Sequence, residues 1–313
     1  MPLYVNGTYE GLYRAMPAKN SAWVEELGGA ESVDLIDGPG ARALEGDDAR
    51  HAELLAMLER GTPLDTLSAL MEVTSLLDLA CFDLYTGRAD HDLNTRCWRP
   101  RERGGRWRWI LFDMDLWAPP EERSVERMCS STAPEAPYLP WLLEHDELRP
   151  RLLARLCAWL ATSLATGRAE TVADSLFAVW APQMRMDHAR WKDTLLVPAP
   201  DEAIAALRAH VGQRPGNLLE QVGQHTGLAL REITVRVDPP LAGTITMEHL
   251  PLTDDRSAFS AFAGVPIHLS AHAQPGYTFS AWEGTNAKGP SIIVDPAKAK
   301  NLRALYRKAG GTE

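Results

Sequence analysis

One stretch of this chain, residues 87–115, constrains the fold more than any other because it combines two strand-like runs with a group of acidic residues. The runs at 95–99 and 106–112 carry tryptophans and other apolar residues. A loop of proline, arginine and glycine separates them at 100–105. The pattern predicts a β-hairpin, which brings the residues before its first strand close to those after its second.

The register of this hairpin decides which side chains meet. If Trp98 faces Trp109, the same register places Asn94 opposite Asp113, because cross-strand pairs follow one another in fixed order. We therefore expect an amide and a carboxylate to share one end of the hairpin.

Oxygen-bearing side chains cluster at this end: Asp90, Asn94, Asp113 and Asp115. Such hard oxygen donors hold Mg²⁺ beside a nucleotide phosphate. The alternative is a solvated acidic loop that caps a core hairpin. We favour the metal because the apolar run 110–112 leads directly into Asp113, and a carboxylate at the end of a buried strand needs a charged partner or a metal.

The same segment resembles the signature of the CotH kinase family, the spore-coat protein H-like atypical protein kinases. The residues that carry the resemblance are Gly87, Asp90, Asn94, Trp98, Trp107, Trp109, Asp113 and Asp115. The opening sequence LYVNGTYEGLY is similar to the family's N-G-x-Y-x-G-x-Y strand pair. Its Asn6–Gly7 pair is also a hairpin turn signal, so residues 3–13 are predicted to form a β-hairpin. The resemblance covers most of residues 3–285, through an Arg-Trp pair at 190–191 and an Arg-Pro pair at 214–215.

The resemblance implies an α+β, atypical protein-kinase-like fold with a mostly helical lower lobe. It implies ATP- and Mg²⁺-dependent transfer of phosphate to Ser or Thr of a protein substrate. Asp113 and Asn94 would then bind Mg²⁺, and Asp115 would be a further ligand or pair with an arginine. Asp90 would accept or orient the substrate hydroxyl.

Three basic residues are candidates for contacting the nucleotide phosphates. Lys19 is the only lysine before Lys192, so the lysine expected of a kinase is either Lys19 or missing. Arg88 and Arg96 flank the acidic residues, although each could instead be a solvated arginine.

The chain departs from the family pattern at several positions. The family's Asn after the motif glycine is Arg88 here, its Trp after the motif Asp is His91, and residues 14–17 lack the usual Glu. The family's upstream N-terminal lobe is expected to be absent, which would leave a truncated β part and impair catalysis. The alternative function is therefore a non-catalytic, pseudokinase-like surface or coat interaction protein.

The net charge of −10 argues against binding nucleic acid through its phosphates. A run of about 18 apolar residues, as an integral membrane segment requires, does not occur in the sequence. Residues 1–30 contain no signal-peptide pattern. The family resemblance nevertheless suggests an extracellular, cell-surface or spore-surface location.

The periodicity of apolar residues divides the chain in two. Helical spacing dominates up to residue 228. It predicts a core helix that starts around Ser75 and leads to Gly87, and further helices at about 169–180, 201–211 and 215–225. Spacing of two dominates residues 231–308. We expect one unit over 1–228 and a small β-domain of about six strands over 231–308, whose Tyr277, Phe279 and Trp282 belong to its core and resemble a bacterial extracellular β-repeat. Between the kinase-like signature and the later helices, 118–140 is expected to be a long loop.

Overall fold

The computed structural model describes residues 1–38, 42–90, 94–130 and 138–310. Within these residues the chain is mixed α and β, as the sequence predicts. The elements of the first part are β1 (Pro2–Val5), β2 (Thr8–Leu12), α1 (Ser21–Gly28), β3 (Val33–Asp37), β4 (Arg42–Glu45), α2 (Ala49–Glu59), α3 (Leu64–Ser68), α4 (Val73–Thr86), β5 (Arg96–Pro100), β6 (Arg108–Ile110), α5 (Ser124–Cys129), α6 (Tyr138–Glu144), α7 (Leu148–Ala161), α8 (Thr166–Trp191) and α9 (Pro200–Thr226).

The chain opens with the predicted hairpin, β1 paired with β2. Asn6 and Gly7 form its turn with φ of 52° and 82°, which is the left-handed conformation of the type I′ turns that suit hairpins. The Leu12 N–H donates to Asp187 Oδ1 at 2.7 Å. The hairpin is thus anchored to α8 rather than to another strand.

A four-stranded sheet in the order β4-β3-β5-β6 carries the acidic segment at one end. Sequence analysis missed β3 and β4, because Asp34 interrupts the apolar run of β3. The structure buries Asp34 completely and pairs it with Arg99 at 2.5 Å. A buried, ion-paired carboxylate in a strand looks polar in sequence although it belongs to the interior.

The predicted hairpin forms, but its register differs by one residue. Cys97, rather than Trp98, pairs with Trp109. The expected facing of Asn94 and Asp113 through this register is therefore wrong. Strand β6 is also shorter than the predicted 106–112 because Trp107 pairs elsewhere: its N–H donates to the Leu70 carbonyl at 2.8 Å.

Helix α4 supports the acidic segment, as the sequence predicts. Its residues are buried on most sides, including Leu76, Leu79 and Leu84. It ends at Gly87, whose φ of 59° and N–H bond to the Asp83 carbonyl make a left-handed C-cap. A rigid core helix therefore delivers the chain to Asp90.

Two predictions about the later helices need correction. The expected loop at 118–140 contains helix α5, and residues 131–137 lie outside the described part. The breaks expected after 180 and at Pro215 do not occur, because α8 and α9 run through Pro182 and Pro215 without ending. Packing of these two long helices against each other outweighs the local cost of an internal proline.

The last part of the chain is a β-sandwich of two four-stranded sheets, β10-β7-β14-β12 and β13-β11-β8-β9. The predicted strands form, and β9 and β10 are additional. The strands are β7 (Leu230–Asp238), β8 (Gly243–Met247), β9 (Leu250–Leu252), β10 (Arg256–Phe262), β11 (Ile267–Ala273), β12 (Tyr277–Glu283), β13 (Ser291–Val294) and β14 (Asn301–Lys308). Trp282 is buried, and Tyr277 and Phe279 pack against the core.

The sandwich packs on α7 mainly through β10. Buried residues of both parts, such as Leu156 and Phe262, belong to one continuous apolar cluster. Strand β14 lies between β7 and β12, parallel to the first and antiparallel to the second. A division into units 1–228 and 231–308 is a proposal that proteolysis would test. Across the described residues, no helix combines the length and apolarity needed to cross a bilayer.

Candidate functional site

The acidic residues lie where three chain segments meet: the end of α4, the start of β5 and the stretch after β6. The Ala89 N–H donates to the Leu116 carbonyl at 3.2 Å. The Ala118 N–H donates to the Thr86 carbonyl at 3.1 Å. These backbone bonds, rather than the hairpin register, bring the segment after β6 beside the segment that carries Asp90.

Asp90 and Asn94 form a compact local unit. The Asn94 backbone N–H donates to the Asp90 carbonyl at 3.1 Å, and the Asn94 side-chain amide donates to Asp90 Oδ2. The other carboxylate oxygen, Oδ1, is buried, and no donor in the described ranges reaches it. A buried carboxylate oxygen without a donor is a candidate for binding a cation or accepting a proton.

Arg88 ties two of the three segments together from the interior. Its Nη1 donates to the Asn94 carbonyl at 3.0 Å and to the Phe112 carbonyl at 2.9 Å. Its Nη2 pairs with Asp83 at 2.8 Å. Because one nitrogen serves both carbonyls, those two oxygens lie within about 6 Å of each other.

Asp113 follows Phe112 and differs from its prediction in burial. The run before it is not a buried strand, since Leu111 is 40% exposed, and both Asp113 and Asp115 are exposed. Asp113 has a φ of 53°, a left-handed conformation that costs a non-glycine residue roughly 1 kcal/mol or more. The Asp113 carboxylate is therefore exposed to solvent, and the backbone of Asp113 adopts a conformation that is rare for a non-glycine residue.

Lys19 lies beside this stretch although it is far away in sequence. Its Nζ donates to the Leu111 carbonyl at 2.6 Å and lies 5.6 Å from the centre of the Phe112 ring. Burial lowers the pKa of Lys19, the neighbouring Arg96 lowers it further, and Asp113 raises it. The ammonium group is therefore close enough to Asp113 and Arg96 to sense both charges.

Arg96 is held at the same place by internal contacts. Its Nε donates to Asp37 Oδ1 at 2.7 Å, and its guanidinium stacks 3.7 Å from the centre of the Phe112 ring. The solvated alternative is wrong for both arginines, since Arg96 is 9% exposed and Arg88 is 0% exposed. A phosphate contact stays a prediction for Arg96. For Arg88, a contact with phosphate would require its guanidinium to break the ion pair with Asp83.

Two further arginines, which sequence reasoning did not place, hold the segment after the site. Arg214 of α9 is buried and donates to the carbonyls of Tyr85 at 3.0 Å and Glu122 at 2.9 Å. Arg127 of α5 donates to the Gly87 carbonyl at 2.8 Å and pairs with Glu122 at 2.7 Å. In the sequence, Arg127 and Arg214 are simply charged residues, and residue type alone does not show that a side chain is buried.

A pocket of about 440 Å³ opens beside Lys19. Trp23, Trp98 and Trp109 contribute to its walls, with Arg108 at the same surface. Aromatic walls with a few polar groups are typical of sites for planar ligands.

The oxygen donors near the end of the hairpin are of the chemical kind that Mg²⁺ prefers. In the parts of the chain that the structure covers, no three His, Cys, Asp or Glu side chains form a group that could hold a metal. Mg²⁺ does not require one, because it commonly binds through one or two carboxylates together with waters and substrate phosphates. The predicted ligands supply donors of this kind, since Asn94 has an amide oxygen and Asp113 and Asp115 have exposed carboxylates. His91 lies outside the described residues.

Comparison with protein families gives a match to the model described as CotH kinase protein, over residues 1–218. The match includes all seven predicted site residues and ends within α9, so the β-sandwich lies beyond it. No curated protein matches the chain.

Proposed function

The chain belongs to the CotH kinase protein family, and from this premise we propose that it is an ATP- and Mg²⁺-dependent phosphotransferase that acts on Ser or Thr of a protein. The observation that supports the proposal is that Arg88 Nη1 bonds both the carbonyl of Asn94, whose amide donates to Asp90, and the carbonyl of Phe112, which precedes Asp113, while Lys19 senses the charge of Asp113. Phosphoryl transfer needs few groups beyond these, since the enzyme mainly positions reactants and neutralises charge.

Asp90 is the candidate group for the substrate hydroxyl. Its bond from Asn94 fixes the carboxylate orientation, and Oδ1 retains acceptor capacity. As the hydroxyl oxygen bonds to the γ-phosphorus and the bond from that phosphorus to the ADP oxygen breaks, the hydroxyl proton would pass to Asp90. Positioned acid or base groups of this kind contribute about 10²- to 10⁴-fold to rates.

Asn94 and Asp113 are the candidate Mg²⁺ ligands, with Asp115 as a further one. Bound there, Mg²⁺ would neutralise negative charge on the phosphates. The left-handed backbone of Asp113 supports this role, because strained conformations of non-glycine residues cluster at functional sites.

Lys19 is the candidate cation for the phosphates. It lies next to Asp113 and keeps part of its side chain accessible. The tryptophan-lined pocket, which Lys19 and Leu111 also line, would take the nucleotide base and would place the phosphates near Lys19 and Asp113. Arg96 stacks on the ring of Phe112, which also lies near Lys19, and adds positive charge there.

A non-catalytic interaction protein is the second candidate function. The observation that favours it is that Asp113 and Asp115 are exposed and do not join Asp90 in a three-carboxylate group within the described ranges. Such a protein would keep the family's fold without binding nucleotide.

Thermal unfolding with and without Mg²⁺ and ATP separates the two candidates. A ligand present at 100 times its dissociation constant stabilises the folded state by about 2.7 kcal/mol, so the unfolding temperature should rise only when both are added. Transfer of labelled γ-phosphate to Ser- and Thr-containing proteins should then be measured. An unfolding temperature that never responds to Mg²⁺ and ATP would contradict the kinase proposal.

A further inference from the structure

Arg88 occupies a position where a charged residue is costly unless it is fully engaged. It has no exposed surface, and transferring an ion from water into a protein interior costs several kcal/mol without compensation. The compensation comes from Asp83, at 2.8 Å, and from the two carbonyls that share Nη1. Asp83 is itself held by the hydroxyl of the buried Tyr138.

The planar guanidinium of Arg88 determines the direction of its hydrogen bonds as well as placing a positive charge in the interior. Its donors diverge from one rigid plane, so the ion pair with Asp83 of α4 determines where Nη1 points. The backbone of Arg88 is fixed too, because Arg127 donates to the Arg88 carbonyl at 3.2 Å. A helix of the core thus determines the direction of a donor that faces the site.

The two carbonyls that Nη1 holds belong to functionally important segments. One is the carbonyl of Asn94, a candidate Mg²⁺ ligand. The other is the carbonyl of Phe112, whose peptide leads into Asp113. The Ala89–Leu116 bond holds the same stretch on its other side. Asp113 is therefore held on both sides, as a left-handed residue requires in order to persist.

We propose that Arg88 is a positioning residue that fixes the separation of Asn94 and Asp113, and thereby sets the affinity of the site for Mg²⁺. The role in metal binding rests on the proposed function. It differs from the phosphate contact expected from the sequence, since the guanidinium acts through backbone carbonyls and faces the interior. Groups that orient metal ligands without touching the metal commonly change affinity by about 10- to 100-fold when lost.

The competing explanation is that Arg88 only stabilises the fold. Arg88→Met alone cannot decide, because it leaves Asp83 charged and unpaired in the interior. The variant that decides is R88M combined with D83N, which removes both buried charges and keeps an acceptor for Tyr138. Neutral replacement of a buried ion pair is often tolerated, so its unfolding temperature should stay within about 5 °C of wild type.

A matched control exists on the same sheet. Arg99 pairs with the fully buried Asp34 at 2.5 Å and makes no bond to the Asn94 or Phe112 carbonyl among the described contacts. R99M combined with D34N therefore removes a comparable ion pair without touching the candidate ligands. Any general effect of losing a buried pair should appear in both double variants.

Two measurements are made on the full chain: Mn²⁺ affinity without nucleotide, and hydrogen exchange of the amides in 94–96 and 112–116. We expect Mn²⁺ affinity to fall about 10- to 100-fold, with faster exchange in both segments, for R88M/D83N but not for R99M/D34N. Unchanged affinity and exchange in a folded R88M/D83N would overturn the proposal. If the wild-type chain binds neither Mn²⁺ nor nucleotide, the proposed function fails, and the exchange comparison alone decides whether Arg88 holds the two segments.

Discussion

Asp113 lies close enough to Lys19 to raise the pKa of its ammonium group, although the two residues are 94 positions apart in the sequence. Both adopt left-handed backbone conformations, with φ of 49° for Lys19 and 53° for Asp113. Burial and then Arg96 lower the pKa of Lys19, and Asp113 acts against both. Lys19, the candidate cation for binding phosphate, and Asp113, the candidate Mg²⁺ ligand, therefore already lie near each other without nucleotide or metal.

The first prediction concerns this pair. Asp113→Asn removes the one carboxylate found to raise the pKa of Lys19, so that pKa should fall further below its ordinary value. The chain has six lysines, and a pH titration of their side-chain NMR resonances would follow Lys19. Asp115→Asn is the control, since Asp115 does not act on Lys19. Equal shifts in the two variants would contradict the pairing.

The second prediction separates metal binding from proton transfer. Asp113→Asn removes charge that balances Mg²⁺, so nucleotide binding should weaken and turnover should vanish together. Asp90→Asn should leave nucleotide binding nearly intact while turnover falls by about 10² or more. Calorimetric nucleotide binding and labelled-phosphate transfer measure both. Identical losses of binding in the two variants would argue against the assigned roles.

The third prediction concerns the arginine that secures the segment after the site. Arg214→Met removes a buried guanidinium together with its hydrogen bonds to the Leu84, Tyr85 and Glu122 carbonyls and to the Ser124 hydroxyl. We expect the free energy of unfolding to fall by about 3 to 5 kcal/mol. Arg208→Ala on the same helix breaks only a half-exposed pair with Asp174, so it should cost about 1 kcal/mol or less. Urea unfolding compares them, and similar losses would refute the distinction.

The fourth prediction tests the docking of the N-terminal hairpin. A Cβ at Gly11, where φ is +135°, would lie 3.1 Å from Asp187 Oδ1 and 3.1 Å from Trp191 Nε1. Gly11→Ala should therefore destabilise the chain by about 1 to 3 kcal/mol. Gly216→Ala in α9 meets nothing within 4 Å and should instead stabilise it by about 0.5 to 1 kcal/mol. Thermal unfolding would show whether the signs differ.

The fifth prediction follows from the ionisation of Asp83. Burial raises its pKa to about 6, against the opposing effects of Arg88 and Tyr138. The native chain therefore binds this proton more tightly than the unfolded chain does, where the pKa is about 3.9. The stabilisation that the native chain gains from binding this proton at Asp83 is fully present below about pH 4. It is lost as the pH rises to about 6.

The magnitude of that loss follows from the shift of roughly two pKa units, which corresponds to roughly 3 kcal/mol. Urea unfolding of the wild type and of R88M/D83N from about pH 4 to about pH 7 isolates it, because other groups cancel in the difference. The difference in the free energy of unfolding should change by roughly this amount. A difference that does not vary with pH would contradict the raised pKa.

The sequence predicted the local structure of the site better than its contacts. The helix before Asp90, the Asn6–Gly7 turn and the β5–β6 hairpin follow from periodicity and turn chemistry, which act over a few residues. The register was wrong because Trp107 bonds to Leu70 instead of extending the hairpin. Such a competing partner lies 37 positions away in the chain, and no local pattern reveals it.

The burial of charged residues was the main feature that the sequence did not show. Asp34, Asp83 and Arg88 resemble surface residues by type, yet each is enclosed with an opposite charge. Burying a charged side chain is tolerated only when a group of opposite charge and hydrogen-bond partners offset the cost of removing it from water. Because that partner comes from another element, the outcome depends on tertiary packing.

The central place of β14 in its sheet has a consequence for synthesis on the ribosome. Strands β7 and β12 flank β14, and β12 has no other partner among the described strands. Translation produces β7 about seventy residues before the strand that must lie beside it. Strand β12 therefore joins the sheet of β7 and β10 only after residues 301–308 have emerged, and until then the edge of β7 that β14 will cover has to be kept from pairing with another nascent chain.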